Sequence, residues 1–253
     1  MCRHIAYLGE KKSLETVLLK KKHSLIDMAY KPKEMENATL NADGYGIGWM
    51  LNNNFFLYKS ILPIWNDANL YSISKNISSN FFLANVRSAT IPGDLSYNNT
   101  HPFVYEDFIF SHNGFVKNFN SIVKEKILSH INSKYLSKIK GSTDSEYIFY
   151  LLLSSYNRVN SITDAAKESI NILKKYCNEA MLNFIFSFKY KNNISIYATR
   201  KSINLNSPSL YYFISKENNI FISSEKLNEL NWIKVKDSSL LEFNKNKLNI
   251  SNL

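Results

Sequence analysis

Hydrophobic and polar positions alternate with two different periods along the chain, and the two periods follow each other in a definite order. Up to residue 112, short apolar runs bounded by turn residues predict strands, and helices are predicted between them at 13–22, 24–30 and 67–77. The predicted strands are 3–8, 46–51, 55–60, 81–87 and 108–112, with 46–60 forming a hairpin.

After Gly114 the apolar residues recur at helical spacing, which predicts helices over 119–136, 143–156 and 162–177. Strands joined by short turns follow, in a pattern typical of an antiparallel meander. They cover 182–188, 194–199, 210–215, 220–223 and 232–235. Strands, then helices, then strands predict an α+β fold in which helices pack on antiparallel sheets.

Composition places the chain among ordinary globular proteins. Its 253 residues are 45% hydrophobic and 21% charged, which allows a full core and excludes disordered and fibrous classes. The apolar run near the start covers only 5–8, and no stretch approaches the roughly 18 apolar residues of a membrane span. With two cysteines and no Cys-x-x-Cys, we expect a cytoplasmic protein without a disulfide framework or a common zinc site.

Basic residues outnumber acidic ones, 31 against 21, giving a net charge of +10 that suits a polyanionic partner. Only four of the 31 are Arg, and the lysines are spread over the whole chain. A nucleic-acid groove usually concentrates its charge and uses Arg for bidentate contacts. We therefore expect neither nucleic acid nor membrane as a partner, and an inactive basic binding module is the alternative from another functional class.

Cys2 directly follows the initiator methionine, whose removal would make Cys2 the N-terminal residue. An N-terminal cysteine combines a thiol of pKa about 8.5 with an α-amino group of pKa about 7.7 to 8.0, so a nucleophile and a base occupy one residue. Position alone favours a small residue of no catalytic role.

Polar residues stand where two predicted strands end. Arg87 ends one strand and can fork onto a carboxylate, or it is a surface arginine. Asn113-Gly114 follows another strand; this pair is the commonest tight turn, and it can also hold an oxyanion through its amide and backbone N–H. His101-Pro102-Phe103 lies between the two segments.

The segment 141–146 precedes an apolar helix. Ser142 or Thr143 as N-cap, with acidic residues in the first turn, explains this segment in structural terms alone. Asp144 is therefore a binding candidate only in combination with other residues.

The order of these segments indicates a family. The chain closely resembles the class II glutamine amidotransferases, and more narrowly the branch with the γ-glutamyl hydrolase of ergothioneine biosynthesis and the amidotransferase-like subunit of cytosolic glutathione degradation. The segments that carry the likeness are 1–4, 41–49, 63–70, 87–90, 101–103, 112–114 and 143–146. Residues 223–225, Trp232 and 239–241 resemble the C-terminal part, so the likeness runs from about residue 2 to about residue 242.

The resemblance implies a four-layer αββα N-terminal nucleophile hydrolase sandwich with two antiparallel sheets, formed by a single glutamine amidotransferase type-2 domain over 2–253 with Met1 removed. It implies no metal or organic cofactor. It also implies roles for individual residues. Cys2 would be the nucleophile with its own amine as base, and Asn113 and Gly114 the oxyanion hole. Arg87 with Thr90 would bind an α-carboxylate, Asp144 an α-ammonium, and His101 and the 43–48 loop would shape the pocket wall.

The activity implied is release of glutamate from a γ-glutamyl amide, either glutamine or a γ-glutamyl-cysteine type compound. The alternative within the family is a glutaminase subunit that supplies ammonia to a separate synthase. Synthase-linked members often carry His after the Arg-x-Ala-Thr segment, where this chain has Ile91, and this departure favours the hydrolase. A separate synthase or peptidase subunit remains a candidate partner.

Overall fold

The computed structural model describes residues 2–35, 39–89, 95–244 and 247–253. The helices in these ranges are α1 (Leu25–Tyr30), α2 (Ala68–Asn76), α3 (Lys124–Leu128), α4 (Ser133–Leu136), α5 (Asp144–Val159) and α6 (Ile162–Tyr176), with π-helical turns at Glu15–Leu19 and Phe119–Val123 and 3-10 turns at Ile64–Asn66 and Tyr97–Asn99. The strands are β1 (Arg3–Ser13), β2 (Tyr45–Leu51), β3 (Asn54–Ser60), β4 (Ser78–Val86), β5 (Phe103–Tyr105), β6 (Phe108–Val116), β7 (Ala180–Tyr190), β8 (Asn193–Arg200), β9 (Ser202–Ile203), β10 (Tyr211–Ile214), β11 (Ile220–Ser223), β12 (Ile233–Lys234), β13 (Ser239–Asn244) and β14 (Lys247–Asn252).

The strands form two antiparallel sheets. The first has the order β12-β10-β11-β1-β4-β2-β3, and the second has the order β14-β13-β8-β7-β6-β5 with β9 on the edge of β7. The N-terminal strand β1 is thus interior, between β11 and β4. The residue that precedes β1 therefore lies at the end of an interior strand rather than on a free edge.

Three apolar cores separate four layers. The core between the sheets includes Ala6, Leu83, Ile109 and Ile185. A second core lies between the second sheet and helices α5 and α6, and a third lies between the first sheet and helices α1 and α2. The α+β class and the four-layer αββα arrangement are confirmed. Among the described residues, no helix is both long and apolar enough to cross a membrane.

Two predicted helices are wrong in extent. The strand β1 continues to Ser13, which pairs with Ser78, so sheet pairing takes the first residue of the helix predicted at 13–22, and the helical part is one π-helical turn over Glu15–Leu19. The helix predicted at 119–136 is divided into three short pieces. Asn132 begins the last of them by accepting a hydrogen bond from the backbone N–H of Lys134, and such local caps compete with a continuous helix.

The predicted C-terminal meander is also wrong, because its strands belong to different sheets. After β8 the chain crosses to the first sheet for β10, β11 and β12, and returns as β13 beside β8. The Arg200 guanidinium fastens the crossing by donating to the carbonyl oxygens of Ser207, Pro208 and Val235. A period-two pattern predicts a strand but does not specify its sheet. Strands β13 and β14 are not among the predicted strands.

Candidate active site

Cys2 is buried at the start of β1, between the two sheets. Its Sγ lies 3.9 Å from the carbonyl oxygen of Ser88, to which the thiol donates. Arg3 of β1 pairs with Val86 of β4 in the antiparallel register. Cys2, directly before Arg3, and Arg87, directly after Val86, therefore lie at the same end of the two adjacent strands. The register of β1 and β4 therefore places the sulfur beside the segment that begins at Arg87.

Arg87 is held by backbone contacts with the loop before β2. The Arg87 N–H donates to the carbonyl oxygen of Gly44 (2.8 Å), and the Asp43 N–H donates to the carbonyl oxygen of Arg87 (3.0 Å). The Asp43 carboxylate accepts from the Ala89 N–H at 2.7 Å. Gly44 has a φ of 96°, a conformation that favours glycine, which explains a glycine at this turn. The loop thus fixes where the buried Arg87 leaves its strand.

Arg87 and Asp144 line one cavity of about 420 Å³. Its walls also include the apolar side chains of Phe115 and Phe119 and the cap residue Thr143. A fixed cation and a fixed anion thus face a space of small-molecule size. The remaining described candidates, Cys2, His101, Asn113 and Gly114, are not on the wall of this cavity and lie in the strands and loop beside it.

Asp144 is the first residue of α5, and Thr143 caps the helix as one of the two predicted N-caps. The two carboxylate oxygens are oriented by separate backbone groups. One accepts from the Val116 N–H and the other from the Ser145 N–H, both at 2.7 Å. The Ser145 hydroxyl lies 3.2 Å from the second oxygen as a third donor, and a carboxylate has about four lone-pair sites, so the oxygen that faces Val116 keeps capacity for a further donor.

Asn113 and Gly114 lie inside β6, paired with Asn183 and Leu182, so they do not form a tight turn. The Asn113 side chain is fully buried, and no described residue gives its amide oxygen or nitrogen a hydrogen-bond partner. Gly114 has no room for a side chain, because a Cβ would collide with the carbonyl oxygen of Met181 and the His112 ring. Buried amides are normally hydrogen-bonded, so the Asn113 amide is suited to a ligand.

A polar layer joins the sheets below the sulfur. His4 Nδ1 lies 3.3 Å from the Ser111 hydroxyl, and the Asn85 amide donates to the same hydroxyl at 3.1 Å. Alternate residues of a strand point to the same face. Cys2 is therefore on the same face as His4, and Asn113 on the same face as Ser111, and both faces point into the space between the sheets. Burial, with the charges of His112 and Arg3, lowers the pKa of His4 to about 3, so this layer is neutral.

His101 is buried where the chain passes over β2. Gly46 allows this approach, because a Cβ there would collide with the His101 carbonyl oxygen. Burial holds the pKa of His101 well below its usual range, with further contributions from His112 and Arg87. The ring is therefore neutral, and it does not line the cavity that holds Arg87 and Asp144, so its place in the pocket wall stays a prediction.

Sequence reasoning missed the role of His112 in arranging this region. Its Nε2 lies 2.8 Å from the Met181 carbonyl oxygen, and its Nδ1 lies 2.9 Å from the Ser145 hydroxyl. The carbonyl can only accept, so Nε2 carries the proton, and the single proton of the Ser145 hydroxyl is available to Nδ1 or to the Asp144 carboxylate oxygen 3.2 Å away. His112 thereby ties the first turn of α5, which carries Asp144, to β6. Its place directly before Asn113 was the available signal.

The predicted residue Thr90 and the departure at Ile91 lie outside the described residues. Within the described ranges, no group of three His, Cys, Asp or Glu side chains is arranged to hold a metal ion.

The fold and this arrangement of groups agree with the sequence comparisons. The chain belongs to the class-II glutamine amidotransferases, whose family model matches residues 26–205. It is 34% identical to the probable glutamine amidotransferase DUG3 of Saccharomyces cerevisiae over 168 residues, which cover 63% of this chain and 46% of that protein.

A second relative is the gamma-glutamyl-hercynylcysteine sulfoxide hydrolase of Mycolicibacterium smegmatis, 35% identical over 46% of this chain and 52% of that protein. The chain thus spans about half the length of the curated relatives it matches. The structure of the glutamine aminotransferase class-II domain protein from Silicibacter pomeroyi has a TM-score of 0.71 and 24% identity, covering 99% of both chains. That likeness supports the fold.

Proposed function

We propose that the protein is an amidohydrolase that releases glutamate from a γ-glutamyl amide through a thioester on Cys2. The substrate is glutamine or a γ-glutamyl-cysteine type compound, and residues 2–253, with Met1 removed, act as one glutamine amidotransferase type-2 domain. The observation that carries the proposal is the pair of opposite charges, Arg87 and Asp144, on one cavity beside the strand that begins after Cys2.

The headgroup of a γ-glutamyl compound is a zwitterion, and its recognition needs one fixed cation and one fixed anion. Arg87 binds the α-carboxylate through two parallel N–H groups, assisted by Thr90. Asp144 binds the α-ammonium with the lone pairs that Val116 and Ser145 leave available. His101 lies outside the lining of this cavity, and as a neutral group it does not compete with Arg87 for the carboxylate.

The reaction then proceeds at the side-chain carbonyl of the substrate. The α-amine of Cys2 takes the thiol proton, and the sulfur attacks the carbonyl carbon. The Asn113 amide and the Gly114 N–H donate to the oxyanion. The amine returns its proton to the leaving nitrogen as the C–N bond breaks, and water, deprotonated by the same amine, hydrolyses the thioester to glutamate.

The two relatives favour different candidate functions. The relative from Mycolicibacterium smegmatis is a gamma-glutamyl-hercynylcysteine sulfoxide hydrolase, which favours water as the acceptor. The yeast relative is a probable glutamine amidotransferase, which favours the second candidate function, a glutaminase that supplies ammonia to a separate synthase. A separate synthase or peptidase subunit belongs to the proposal as a candidate partner.

Glutamate release from a panel of glutamine, glutathione and a γ-glutamyl-cysteine sulfoxide conjugate tests the proposal. We expect the isolated chain to turn over at least one γ-glutamyl compound. It should not turn over the α-glutamyl isomer, in which the amide bond uses the α-carboxylate and leaves no zwitterionic α-amino-acid headgroup for Arg87 and Asp144. Turnover of glutamine alone, at a trace rate, would support the synthase-dependent candidate. No release from any member, with binding to polyanions that collapses as salt is added, would support the inactive basic module.

A further inference from the structure

A group of buried charged side chains lies behind the nucleophile, on the face of the first sheet opposite the second sheet. Arg3 and Glu225 are 0% and 1% exposed, and Arg3 Nε lies 2.8 Å from Glu225 Oε1. His23 Nε2 lies 2.6 Å from the other Glu225 oxygen. Backbone N–H groups of Lys33 and Glu34 donate to the same carboxylate at 2.9 and 3.1 Å.

Folding alone does not account for this group. Removing two charges from water is expensive, and well-packed apolar residues of similar volume are often as stable as a buried ion pair. Burial opposes ionisation of Glu225, but the hydrogen bonds from His23 and Lys33 and the Arg3 charge outweigh it and lower the carboxyl pKa to about 2. Both charges are therefore present at neutral pH.

Arg3 also contacts the nucleophilic residue itself. Its Nη1 donates to the backbone carbonyl oxygen of Cys2 at 3.0 Å, while its Nε donates to Glu225. The guanidinium is planar and rigid, so two bonds in different directions fix its position. Holding the Cys2 carbonyl restricts rotation about the bond between its Cα and carbonyl carbon, and that rotation sets how the sulfur and the α-amine lie relative to β1.

We propose that Arg3 is a positioning residue for Cys2, and that Glu225, supported by His23, holds Arg3 in place. The inference rests on the proposed function, since it concerns the nucleophile of that reaction. The loop at 33–34 and the end of β11 meet at Glu225, so the conformation of Cys2 depends on segments more than 190 residues apart along the chain. A displaced Cys2 would keep its chemistry but lose alignment with the Asn113 amide.

The test uses Arg3→Lys and Glu225→Gln, each compared with Glu229→Gln. Glu229 pairs with Lys22 and both are exposed, so this control removes a carboxylate from the same region without touching the buried group. We expect the two buried variants to lower kcat about tenfold to hundredfold, because small misplacements of reacting groups have effects of this size. KM should change little, because Arg87 and Asp144 are untouched. The control should match the wild type.

A second measurement does not depend on turnover. Condensation with 2-cyanobenzothiazole needs the α-amine and the thiol of an N-terminal cysteine to react together, so its rate reports their relative position and access. We expect altered rates in Arg3→Lys and Glu225→Gln at equal folded fraction, judged by circular dichroism. His23→Ala keeps the charges of Arg3 and Glu225, and we expect it to change the condensation rate less than the other two variants do, in the same direction. It supplies the comparison if loss of a charge partner prevents folding.

Unchanged kcat and unchanged condensation rates in folded variants would overturn the positioning role, as would equal losses in Glu229→Gln. If the wild type releases no glutamate but the variants still change the condensation rate, the proposed function fails and the positioning of Cys2 stands.

Discussion

Arg87, which follows β4 of one sheet, and Asp144, which begins the helix packed on the other sheet, line the same cavity of about 420 Å³. Each is fixed by backbone hydrogen bonds, Arg87 through its own N–H and carbonyl and Asp144 through its carboxylate. Two layers of the sandwich thus contribute opposite charges to one space, and the distance between the charges depends on how the layers pack.

We expect Arg87→Lys to raise KM for a γ-glutamyl substrate strongly, because an ammonium cannot reproduce two parallel hydrogen bonds to a carboxylate. Asp144→Asn should raise KM as well, by removing the counter-charge of the substrate ammonium. Loss of a charge-assisted contact is worth about 1.5 to 3 kcal/mol, roughly tenfold or more in affinity. Initial-rate kinetics measure both. Near-normal KM in both variants would show that they do not bind the headgroup.

Cys2→Ala should fold normally and release no glutamate, because the sulfur is the only nucleophile proposed. Cys177→Ala is the matched control. Its thiol donates to the Leu173 carbonyl oxygen inside a core, and burial raises its pKa to about 11, so it is not a thiolate at neutral pH. Glutamate assays on both variants decide the matter, and substantial turnover by Cys2→Ala contradicts the assignment.

Asn113→Ala should lower kcat about 10²- to 10³-fold and change KM less, since an oxyanion donor acts mainly in the transition state. The amide has no hydrogen-bond partner among the described residues, so its loss breaks no such contact of the folded state. The melting temperature should therefore stay near that of the wild type. A large loss of stability with kcat intact would point to a structural role instead.

Protein that retains Met1, or carries a tag ahead of Cys2, should fold but be inactive. Acylation converts an α-amine of pKa about 7.7 to 8.0 into an amide that accepts no proton near neutral pH. Loss of general-base catalysis is worth about 10²- to 10⁴-fold. Mass spectrometry of active material should show Met1 absent, and a tag at the C-terminus serves as the control. Full activity with Met1 attached contradicts an N-terminal base.

Stability should fall between pH 7 and pH 5. Burial lowers the pKa of His4 to about 3, and the pKa values of His101 and His112 also lie below the usual value. The unfolded chain binds protons below about pH 6.5 that the folded chain does not, at up to about 1.4 kcal/mol per pH unit for each histidine. Glu146 acts in the opposite sense, because burial raises the pKa of its carboxyl group and the folded chain then binds a proton more readily than the unfolded chain. It is one group against the three histidines.

Urea denaturation at the two pH values measures the effect. Glu225 does not interfere, because its stabilising ionisation is lost only as the pH falls below about 4.5 towards 2. Equal denaturation midpoints at pH 7 and pH 5 would contradict neutral buried histidines.

The sequence predicts the α+β class and most element types, because the apolar periods change between strands and helices. It does not predict which sheet a strand joins. The crossing after β8 depends on Arg200 binding the backbone carbonyls of Ser207, Pro208 and the more distant Val235, and these contacts leave no periodic pattern in the sequence. The same holds for β1, where pairing of Ser13 with Ser78 outweighs a local helix signal.

The site is predicted unevenly. Residues such as Asn113 can be predicted because they lie in short sequence motifs that resemble a family and occur along the chain in the same order. The supporting groups are harder to find, since Arg3 and Glu225 are 222 positions apart and only the fold brings them together. The resemblance covers residues 223–225 without assigning Glu225 a role. His112 shares this difficulty, because its partners Ser145 and Met181 lie on other elements.

The interior place of β1 has a consequence for synthesis on the ribosome. One neighbour of β1 is β4, but the other, β11, begins at Ile220. Cys2, the proposed nucleophile, is synthesised more than 200 residues before Ile220, so its strand lacks one of its two partners until β11 is made. Pairing between segments so distant in sequence is slow. A nascent or truncated chain that ends before Ile220 therefore has Cys2 but lacks β11, which pairs with the strand that follows it. In the proposed mechanism such a chain cannot catalyse the reaction until the last strands have been made.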